Sequence, residues 1–355
     1  MKRYRDIYPA IYDYENLYEA YRSARRGKTQ RSEVMAFTRD LEGNLIELQN
    51  ELIWRTYRVG RYREFYVKDP KKRLIMALPF RDRVVQWAIY RQINYLLDKR
   101  YIPTSYACRL GGGTQKAIHQ LQQYIRHTPG KVYVLKLDVS KYFYRIDHGV
   151  LLDILHGIFK DPDLLELLRR IIDDDQGGGL FGIDIDTGER EPGVGMPIGN
   201  LTSQMFANLY LNEADQFAKH ELRAKKYIRY MDDMVIVSND KSYLQDCWHA
   251  MDDFLTTRLK LRLNRKSTVQ AARDGIDFCG YLVWADHIRL RQKSALKMKH
   301  RLRYLRKAFK RGEVDLEEVT ASLTSYCGLL KHCDGYQLKQ SILHDLVLVR
   351  HSERR

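Results

Sequence analysis

The sequence predicts an α+β protein, and three observations lead to this class. Apolar side chains recur at helical spacing in the first sixty residues, and the same spacing returns in the basic segment after Trp284. Between these regions lie short β-rich runs, of which VYVLKLDV and YIRYMDDMVIVS are the clearest. With 355 residues, 44% of them hydrophobic, the chain can bury large cores and favours two or three packed units.

The elements between the two helical ends follow from local pattern and turn residues. Gly111–Gly113 interrupts the chain before a helix, and YIRYMDDMVIVS is typical of strand, tight turn and strand. The other elements expected in chain order are extended runs around a basic turn at 62–79, a helix from Asp82 to Leu97, a strand at 132–139, a helical region to Ile172, an acidic glycine-rich loop at 173–195 and a helix around Ser203–Phe217.

The charge of the chain predicts a polyanionic partner. The formal net charge is +16 and the pI is about 9.5, and such a surface attracts nucleic acid. From Asp286 to Arg355, sixteen Lys and Arg stand against eight Asp and Glu, which is half of the net charge. Apolar residues interleave with these bases, as in a helix that packs on one side and neutralises phosphates on the other.

Cysteine usage and hydropathy exclude several classes. The five cysteines are an odd number without a CxxC pair, which argues against a disulfide framework and a structural zinc site. We therefore expect a reducing, cytoplasmic location. No apolar run reaches the about 18–20 residues of a membrane span, so we expect no membrane partner.

Three carboxylates stand where acidic residues are uncommon. Asp138 ends an apolar strand, and Asp232 with Asp233 occupies the turn between two β-rich runs. Carboxylates at strand ends and hairpin tips bind hard divalent cations such as Mg²⁺. A pair of such ions about 3.5–4 Å apart activates an attacking hydroxyl and stabilises a leaving phosphate oxygen. A DD turn alone is weak evidence, because Asp is a common turn former.

Further motifs strengthen this interpretation. Tyr230–Asp233 resembles the YxDD box of reverse transcriptases, and Leu137–Phe143 resembles their first catalytic motif. Other segments resemble the remaining family boxes in the same order: Lys72–Ile75 and Pro79–Gln86, Ser105–Arg109 with Gly111–Gly113, Leu263–Lys266, and Phe278–Tyr281. The resemblance implies a right-hand polymerase fold with fingers, a palm of antiparallel sheet packed on helices, and a helical thumb.

The same resemblance implies a division of the chain. Residues 1–60 would form an N-terminal helical extension, and residues 61–135 the fingers. Residues 136–284 would form the palm, with an insertion loop at 173–195 and a primer-grip hairpin near 276–284. Residues 285–355 would form a basic helical thumb.

The resemblance also implies the site residues of an RNA-directed DNA polymerase. Two Mg²⁺ ions, for which Mn²⁺ can substitute, would be held by Asp138, Asp232, Asp233 and the carbonyl of Val139. The nucleotide would meet Lys72, Arg73, Phe143, Ile198, Gly199 and Lys266, the ring of Phe143 excluding a 2′-hydroxyl and Lys266 donating a proton to pyrophosphate. The template or primer would contact Arg109, Gly112, Asn200, Ser203, Gln204, Tyr230, Gly280, Tyr281, Arg301 and Arg303.

One segment resembles a subfamily. In most reverse transcriptases a glutamine precedes the glycine of the palm motif at 196–204, and the motif ends Ser-Pro. Here Ile198 precedes Gly199 and the motif ends Ser203-Gln204, which resembles the enzymes of diversity-generating retroelements. These copy a template RNA with errors at adenines. The implied partners are template RNA, the cDNA or primer strand, dNTPs and a small basic accessory protein that forms a pentameric ring.

Other functions stay open. A defence-associated or retron-type reverse transcriptase would use a dedicated noncoding RNA, although Val319-Thr320-Ala321 differs from the Val-Thr-Gly typical of retrons. A group II intron enzyme would carry the glutamine and Ser-Pro that are missing here. A non-catalytic RNA-binding scaffold would have no need for three clustered carboxylates.

Overall fold

The computed structural model describes residues 3–68, 72–173, 182–183, 187, 189–345 and 347–349. The helices within these residues are α1 (Tyr8–Tyr12), α2 (Tyr14–Arg25), α3 (Ser32–Arg39), α4 (Leu41–Ile53), α5 (Phe80–Asp98), α6 (Thr114–Arg126), α7 (Tyr142–Arg145), α8 (His148–Ile158), α9 (Pro162–Ile172), α10 (Leu201–Tyr210), α11 (Asn212–His220), α12 (Lys241–Leu259), α13 (Gln292–Lys310), α14 (Leu316–Leu330) and α15 (Tyr336–Asp345). The strands are β1 (Arg63–Lys68), β2 (Lys72–Ala77), β3 (Tyr133–Asp138), β4 (Gly182–Ile183), β5 (Arg190–Glu191), β6 (Tyr227–Tyr230), β7 (Asp233–Ser238), β8 (Thr268–Ala271), β9 (Ile276–Phe278), β10 (Tyr281–Val283) and β11 (Ile288–Leu290).

The N-terminal helices pack on α5. Asp13 and Asp40 cap α2 and α4 through backbone amides. The Asn16 amide of α2 donates to the carbonyl of Ala88 at 3.2 Å, which fixes α2 along α5. Leu17 and Leu48 belong to the same buried core as α5, the central sheet and α10–α12. The first sixty residues are therefore packed into the main body of the protein.

The segment before α5 forms an antiparallel hairpin. Strands β1 and β2 pair from Arg63↔Ala77 to Lys68↔Lys72, as the extended runs around a basic turn predict. All side chains of β1 are exposed. The Met76 amide donates to the carbonyl of Ile198 at 3.0 Å, so the base of the hairpin is fastened to the segment before α10.

A four-stranded antiparallel sheet forms the centre, in the order β6-β7-β3-β8. Successive side chains of β3 point to opposite faces. Leu135 and Leu137 belong to the core formed with α10–α12. Val134, on the other face, packs with α6 and with strands β9 and β10. The sheet is thus covered on both faces, which explains its near-continuous apolar strands.

A second sheet, in the order β11-β10-β9, lies over this second face. Strands β9 and β10 join at Cys279 and Gly280, which both have positive φ, as tight hairpin turns require. Strand β11 pairs with β10 from Tyr281↔Leu290 to Val283↔Ile288. A division of the chain at 284/285 therefore falls inside this sheet.

The C-terminal helices α13–α15 have a core of their own. Met298, Leu302 and Leu305 of α13 pack with Val319 and Leu330 of α14. The bases of α13 lie largely on its outer side, as its amphipathic pattern predicts. Among the described residues, no helix combines the length and apolarity that a bilayer crossing demands.

The acidic glycine-rich segment at 173–195 is described in part. Strands β4 and β5 pair there as Gly182↔Glu191 and Ile183↔Arg190. The rest of the predicted loop at 174–181, 184–186 and 188 lies outside the described residues. The prediction of an α+β fold is confirmed, with the predicted strand–turn–strand at its centre.

Candidate active site

The β6–β7 turn carries two of the candidate carboxylates. Tyr230 pairs with Asp233, so Met231 and Asp232 form the tip. Met231 has φ +53°, a conformation that costs free energy in a residue with a side chain. The Arg229 guanidinium donates to the Met231 carbonyl at 3.1 Å and holds the turn in this shape.

The third carboxylate comes from the neighbouring strand. The antiparallel register sets Asp138 directly opposite Asp233. Opposite residues in such a ladder have Cα atoms about 4.5–5.5 Å apart, and their side chains share a face. Acids 95 residues apart in the chain therefore meet at one end of the central sheet.

Burial and like charge act on these acids together. Burial, reinforced by Asp233 and Asp138, raises the pKa of Asp232 to about 6, while Arg73 opposes the shift. Burial also raises the pKa of Asp233, against the effect of Lys136. Three mutually repelling carboxylates that are partly withdrawn from water would be stabilised by a cation.

The residues suit a divalent cation in donor chemistry, since hard cations prefer carboxylate oxygens. Within the part of the chain that the structure describes, no three His, Cys, Asp or Glu side chains already form a metal-ligand cluster. Asp138 and Asp233 share one sheet face beside the Asp232 turn, and both raise the pKa of Asp232. The donor set therefore fits a cation without being preassembled for it.

The residues around the carboxylates come from several segments. Exposed Arg73 lies on the hairpin strand β2 and lowers the pKa of Asp232, which brings its charge to the site. The Lys72 side chain lies outside the described residues. Buried Val139 pairs with Leu263, and the Asn264 amide donates to the Asp138 carbonyl at 2.7 Å. This contact places exposed Lys266, two residues later, beside the end of β3.

The Phe143 ring is half-buried beside Tyr142, with ring centroids 5.7 Å apart. The backbone carbonyl of Phe143 accepts a hydrogen bond from the Met196 amide at 2.7 Å, which connects α7 to the segment that contains Ile198. Gly199 has φ +124°, and a Cβ there would lie 3.2 Å from the Ile75 side chain. A side chain at this position would therefore push the β1–β2 hairpin away.

The beginning of α10 differs from the sequence expectation in part. Asn200 is buried and its amide donates to the Tyr62 hydroxyl at 2.9 Å. This bond speaks against the template contact expected from the sequence, because the amide is used within the protein. Ser203 is buried, and its hydroxyl has no hydrogen-bond partner among the described residues. Gln204 is exposed, and its side-chain oxygen Oε1 lies 3.9 Å from the Cys108 sulfur.

The glycine-rich loop lies beside the turn. The Cys108 sulfur is 3.7 Å from the Met231 sulfur. Gly112 has room for no side chain, because a Cβ would lie 2.3 Å from the Tyr106 carbonyl. Arg109 binds both carboxylate oxygens of Asp98. Its other donors reach two backbone carbonyls in the same loop, so its position supports a packing role and not the expected template contact.

The remaining template or primer candidates lie on the second sheet and on α13. Gly280, at the β9–β10 turn, has open space around it. Tyr281 is buried, and its hydroxyl donates to the Leu329 carbonyl of α14 at 3.1 Å, which again is an internal contact. Tyr230 is half-buried. Arg301 pairs with Glu318 at 3.0 Å, whereas Arg303 is exposed on the same helix.

Sequence reasoning missed two charged residues beside the site. Arg229 is fully buried and pairs with the equally buried Asp215 at 2.7 Å. Although burial opposes the charged form, Asp215 keeps the pKa of Arg229 above its ordinary value. Lys136 lies 3.8 Å from the Asp233 carboxylate. The one available signal was a charge at an inward position of an otherwise apolar strand.

Comparison with known proteins decides the family. Residues 67–283 match the family model described as reverse transcriptase (RNA-dependent DNA polymerase), which is more than half of the chain. The chain belongs to the reverse transcriptase family. The enzyme class predicted from the sequence, RNA-directed DNA polymerase, is thereby confirmed, as is its right-hand polymerase fold. Members of the family copy RNA templates, and their domains use divalent metal ions.

Two curated relatives of this reverse transcriptase are distant. Protein YkfC of Escherichia coli K12 is 26% identical over 276 residues, which cover 66% of this chain and 69% of the relative. The putative COX1/OXI3 intron 2 protein of Saccharomyces cerevisiae is 19% identical over 257 residues. That match covers 57% of this chain and 29% of the yeast protein.

Two solved structures are similar to this reverse transcriptase at low identity. Telomerase from Candida albicans, in complex with a fragment of telomeric RNA, has a TM-score of 0.49 and 14% identity. The match covers 84% of this chain and 61% of the telomerase chain. Apo telomerase from Candida tropicalis has a TM-score of 0.48 and 11% identity, and the match covers 68% of this chain and 58% of the telomerase chain.

Proposed function

We propose that this reverse transcriptase makes cDNA from a structured template RNA by two-metal phosphoryl transfer. Asp138 and Asp232 would hold two Mg²⁺ ions with help from the Val139 carbonyl, and Asp233 would support the site. The observation that carries the proposal is the register of Asp138 with Asp233 beside the Asp232 turn. When bound, the ions would activate the primer hydroxyl and neutralise charge on the phosphates.

The other residues have roles that follow from their positions. The Arg73 guanidinium, whose charge reaches Asp232, would grip two oxygens of the triphosphate, with Lys72 beside it. Lys266 would donate a proton to pyrophosphate. The half-buried ring of Phe143 would exclude a ribose 2′-hydroxyl. Gly199 would let the nascent base pair approach the backbone. Gly280 and the exposed side chains of Gln204 and Arg303 would meet the template or primer.

We propose fingers at 61–135, a palm at 136–284 and a basic helical thumb from 285, with 1–60 as a helical region before them. The pairing of β11 with β10 extends the second sheet to Leu290. The hinge between palm and thumb would therefore lie nearer Arg291. The bases on the outer side of α13 would follow the phosphates of the duplex.

Primer extension on a defined RNA tests the proposal. Asp232→Asn removes a ligand charge, so synthesis should fall by roughly a thousandfold or more while RNA binding persists. Asp246→Asn, an exposed carboxylate on α12, is the matched control and should leave synthesis unchanged. Retained synthesis by Asp232→Asn would mean that the site is misplaced. A wild-type protein that binds RNA but extends no primer with Mg²⁺ or Mn²⁺ would be the scaffold instead.

We further propose that the enzyme belongs to a diversity-generating retroelement and is error-prone at template adenines, for mutagenic retrohoming. The support is Ile198 in place of the glutamine found in most reverse transcriptases. Its carbonyl is fixed by Met76 and its side chain is half-buried. Exchanging an amide for a branched alkyl group removes a polar contact worth roughly 1–3 kcal/mol in discrimination.

Sequencing of cDNA made on a defined RNA tests the subfamily. We expect misincorporation to concentrate opposite adenine, and Ile198→Gln to lower it by about tenfold, as expected for about 1.4 kcal/mol. An error spectrum equal across the four template bases would remove the subfamily while leaving the polymerase intact.

The partners of this proposal are template RNA, a primer or cDNA strand, dNTPs and a small basic accessory protein that forms a pentameric ring. Sequencing the nucleic acid that co-purifies with the protein distinguishes the retroelement enzyme from a retron-type or defence-associated one. A repeat-flanked template copied into a variable gene supports the retroelement. A dedicated noncoding RNA would instead support a retron-type or defence-associated enzyme.

A further inference from the structure

A lysine lies in the interface between the central and the second sheet. Lys136 is on the β3 face that carries Asp138, because side chains two positions apart share a face. The paired strand β7 presents Asp233 and Val235 on the same face. Strand β8 adds Thr268 opposite Lys136 and Gln270 opposite Val134. Many of the other side chains in this interface are apolar: Val134, Ile228, Val235, Val237, Phe278 and Tyr281.

The Lys136 ammonium has partners on both sheets. It donates to the Asp277 carbonyl of β9 at 2.8 Å and lies 3.8 Å from a carboxylate oxygen of Asp233. The side chain is 22% exposed, so much of its charge has left water. One ammonium therefore contacts both the candidate catalytic turn and the first strand of the β9–β10 hairpin.

The second sheet continues this set of polar contacts to the basic helix. The Asp277 carboxylate pairs with the guanidinium of Arg291. The Arg291 amide donates to the Gly280 carbonyl at 3.0 Å, and Arg291 is the residue immediately before α13. The β9–β10 turn, the start of α13 and Asp233 are thus joined through Lys136 and Asp277.

The fold alone gives no reason for a charge at this position. Withdrawing an ammonium from water is unfavourable, and an apolar side chain of similar length would fill the same interface. A cation beside Asp233 does, however, offset the repulsion between that carboxylate and Asp138.

We propose that Lys136 is a positioning residue that fixes the Asp233 carboxylate relative to strand β9. The β9–β10 hairpin would thereby be held in register with the carboxylates where the primer end reacts. The inference rests on the proposed function, because it assigns a role at the same site. Loss of the ammonium then has two effects. The primer end and the carboxylates lose their alignment, which slows nucleotide addition. The carboxylate cluster also becomes more negative, which favours cation binding.

The experiment compares Lys136→Met, Lys136→Gln and Lys136→Arg. Gln270→Met is the matched control, because Gln270 lies on the same sheet face and its amide reaches the Gly275 carbonyl before β9 at 3.3 Å without touching Asp233. The measurements are kcat and the dNTP KM in primer extension, and the rise in Tm with Mg²⁺ in the absence of nucleic acid.

We expect both uncharged variants to lose roughly ten- to hundredfold in kcat, with a much smaller change in KM. Their Tm should rise at lower Mg²⁺ concentrations than that of the wild type. Lys136→Arg should recover most of the rate, and Gln270→Met should match the wild type in both measurements.

Wild-type kcat in both uncharged variants would overturn the inference. A need for more Mg²⁺ would overturn it too, since a merely loosened site binds cations less well. Lys136→Gln keeps a polar side chain, so the test still applies if Lys136→Met does not fold. Failure of the proposed function is distinguishable, because it would appear as retained synthesis in Asp232→Asn or as a wild type that extends no primer, and neither result depends on Lys136.

Discussion

Two groups of charged side chains meet at the β6–β7 turn, and they are built in opposite ways. Arg229 and Asp215 are fully buried, and each finds its partners inside the protein. The guanidinium also donates to Asn208 and to the Met231 carbonyl. Among the three carboxylates, by contrast, Asp138 lies opposite Asp233 in the sheet, and both of these acids raise the pKa of Asp232.

The difference indicates two roles: the internally paired charges stabilise the turn, and the three carboxylates are available to bind a cation there. The Arg229–Asp215 pair, here called the closed pair, fixes the strained Met231 backbone immediately before Asp232. Asp138, Asp232 and Asp233, here called the open group, hold like charges close together. Burial and the charges of Asp233 and Asp138 raise the pKa of Asp232 to about 6. Complete internal pairing is typical of charges that stabilise a fold, whereas like charges held close together favour the binding of an external cation.

Breaking the closed pair should have the largest effect on stability. Arg229→Met leaves the buried Asp215 carboxylate without its cation, so the free energy of unfolding should fall by about 3–5 kcal/mol. Urea denaturation measures the change. Arg258→Met, an exposed arginine on α12, is the control and should change stability little. Equal stabilities of the two variants would mean that the buried pair does not hold the turn.

Relaxing the open group should change stability in the other direction. Asp232→Asn removes one of three like charges, so at pH 7 without divalent cations the protein should become more stable by roughly 1 kcal/mol. Added Mg²⁺ should stabilise the wild type more than the variant, which reverses the order. Denaturation with EDTA and with Mg²⁺ measures both. A variant that is less stable in EDTA would place Asp232 among the structural charges.

A further buried acid, Asp82, is intermediate between the two groups, and its removal should have the smallest effect on stability. One oxygen of Asp82 accepts from the Tyr57 hydroxyl and the Gly60 amide. The other oxygen has no hydrogen-bond partner among the described residues. Burial raises the pKa of Asp82 in spite of these bonds.

Because the folded state binds this proton more tightly than the unfolded state, stability should fall as the pH rises above the ordinary Asp value of about 3.9. In Asp82→Asn this part of the pH dependence should be absent. Unfolding free energies between pH 4 and 7 measure the difference, and parallel curves for the two proteins would contradict it.

Much of the architecture could be predicted from the sequence because it depends on local pattern. Strand β3, the β6–β7 hairpin and the amphipathic helix α13 are periodic segments bounded by turn residues. The candidate acids are also local signals, since acids at the ends of apolar strands are unusual. Their convergence is expected from the family boxes, and the strand register agrees with it.

Tertiary partners could not be predicted in the same way. Arg109 and Asn200 lie in family boxes, but their side chains bind Asp98 and Tyr62, which no local pattern reveals. The same holds for the pairing of Arg229 with Asp215 over 14 residues. Strand β11 has three residues in a strongly basic segment, so its charges hide the pattern of a strand.

The short strand β11 has a practical consequence for protein engineering. A chimera that exchanges the C-terminal helices after residue 284 would remove the outer strand from the second sheet and expose the edge of β10. It would also discard Arg291, which anchors the incoming helix to Asp277 and Gly280. A splice placed after Arg291 keeps both strand β11 and Arg291, so helices from other polymerases could be joined to a complete second sheet.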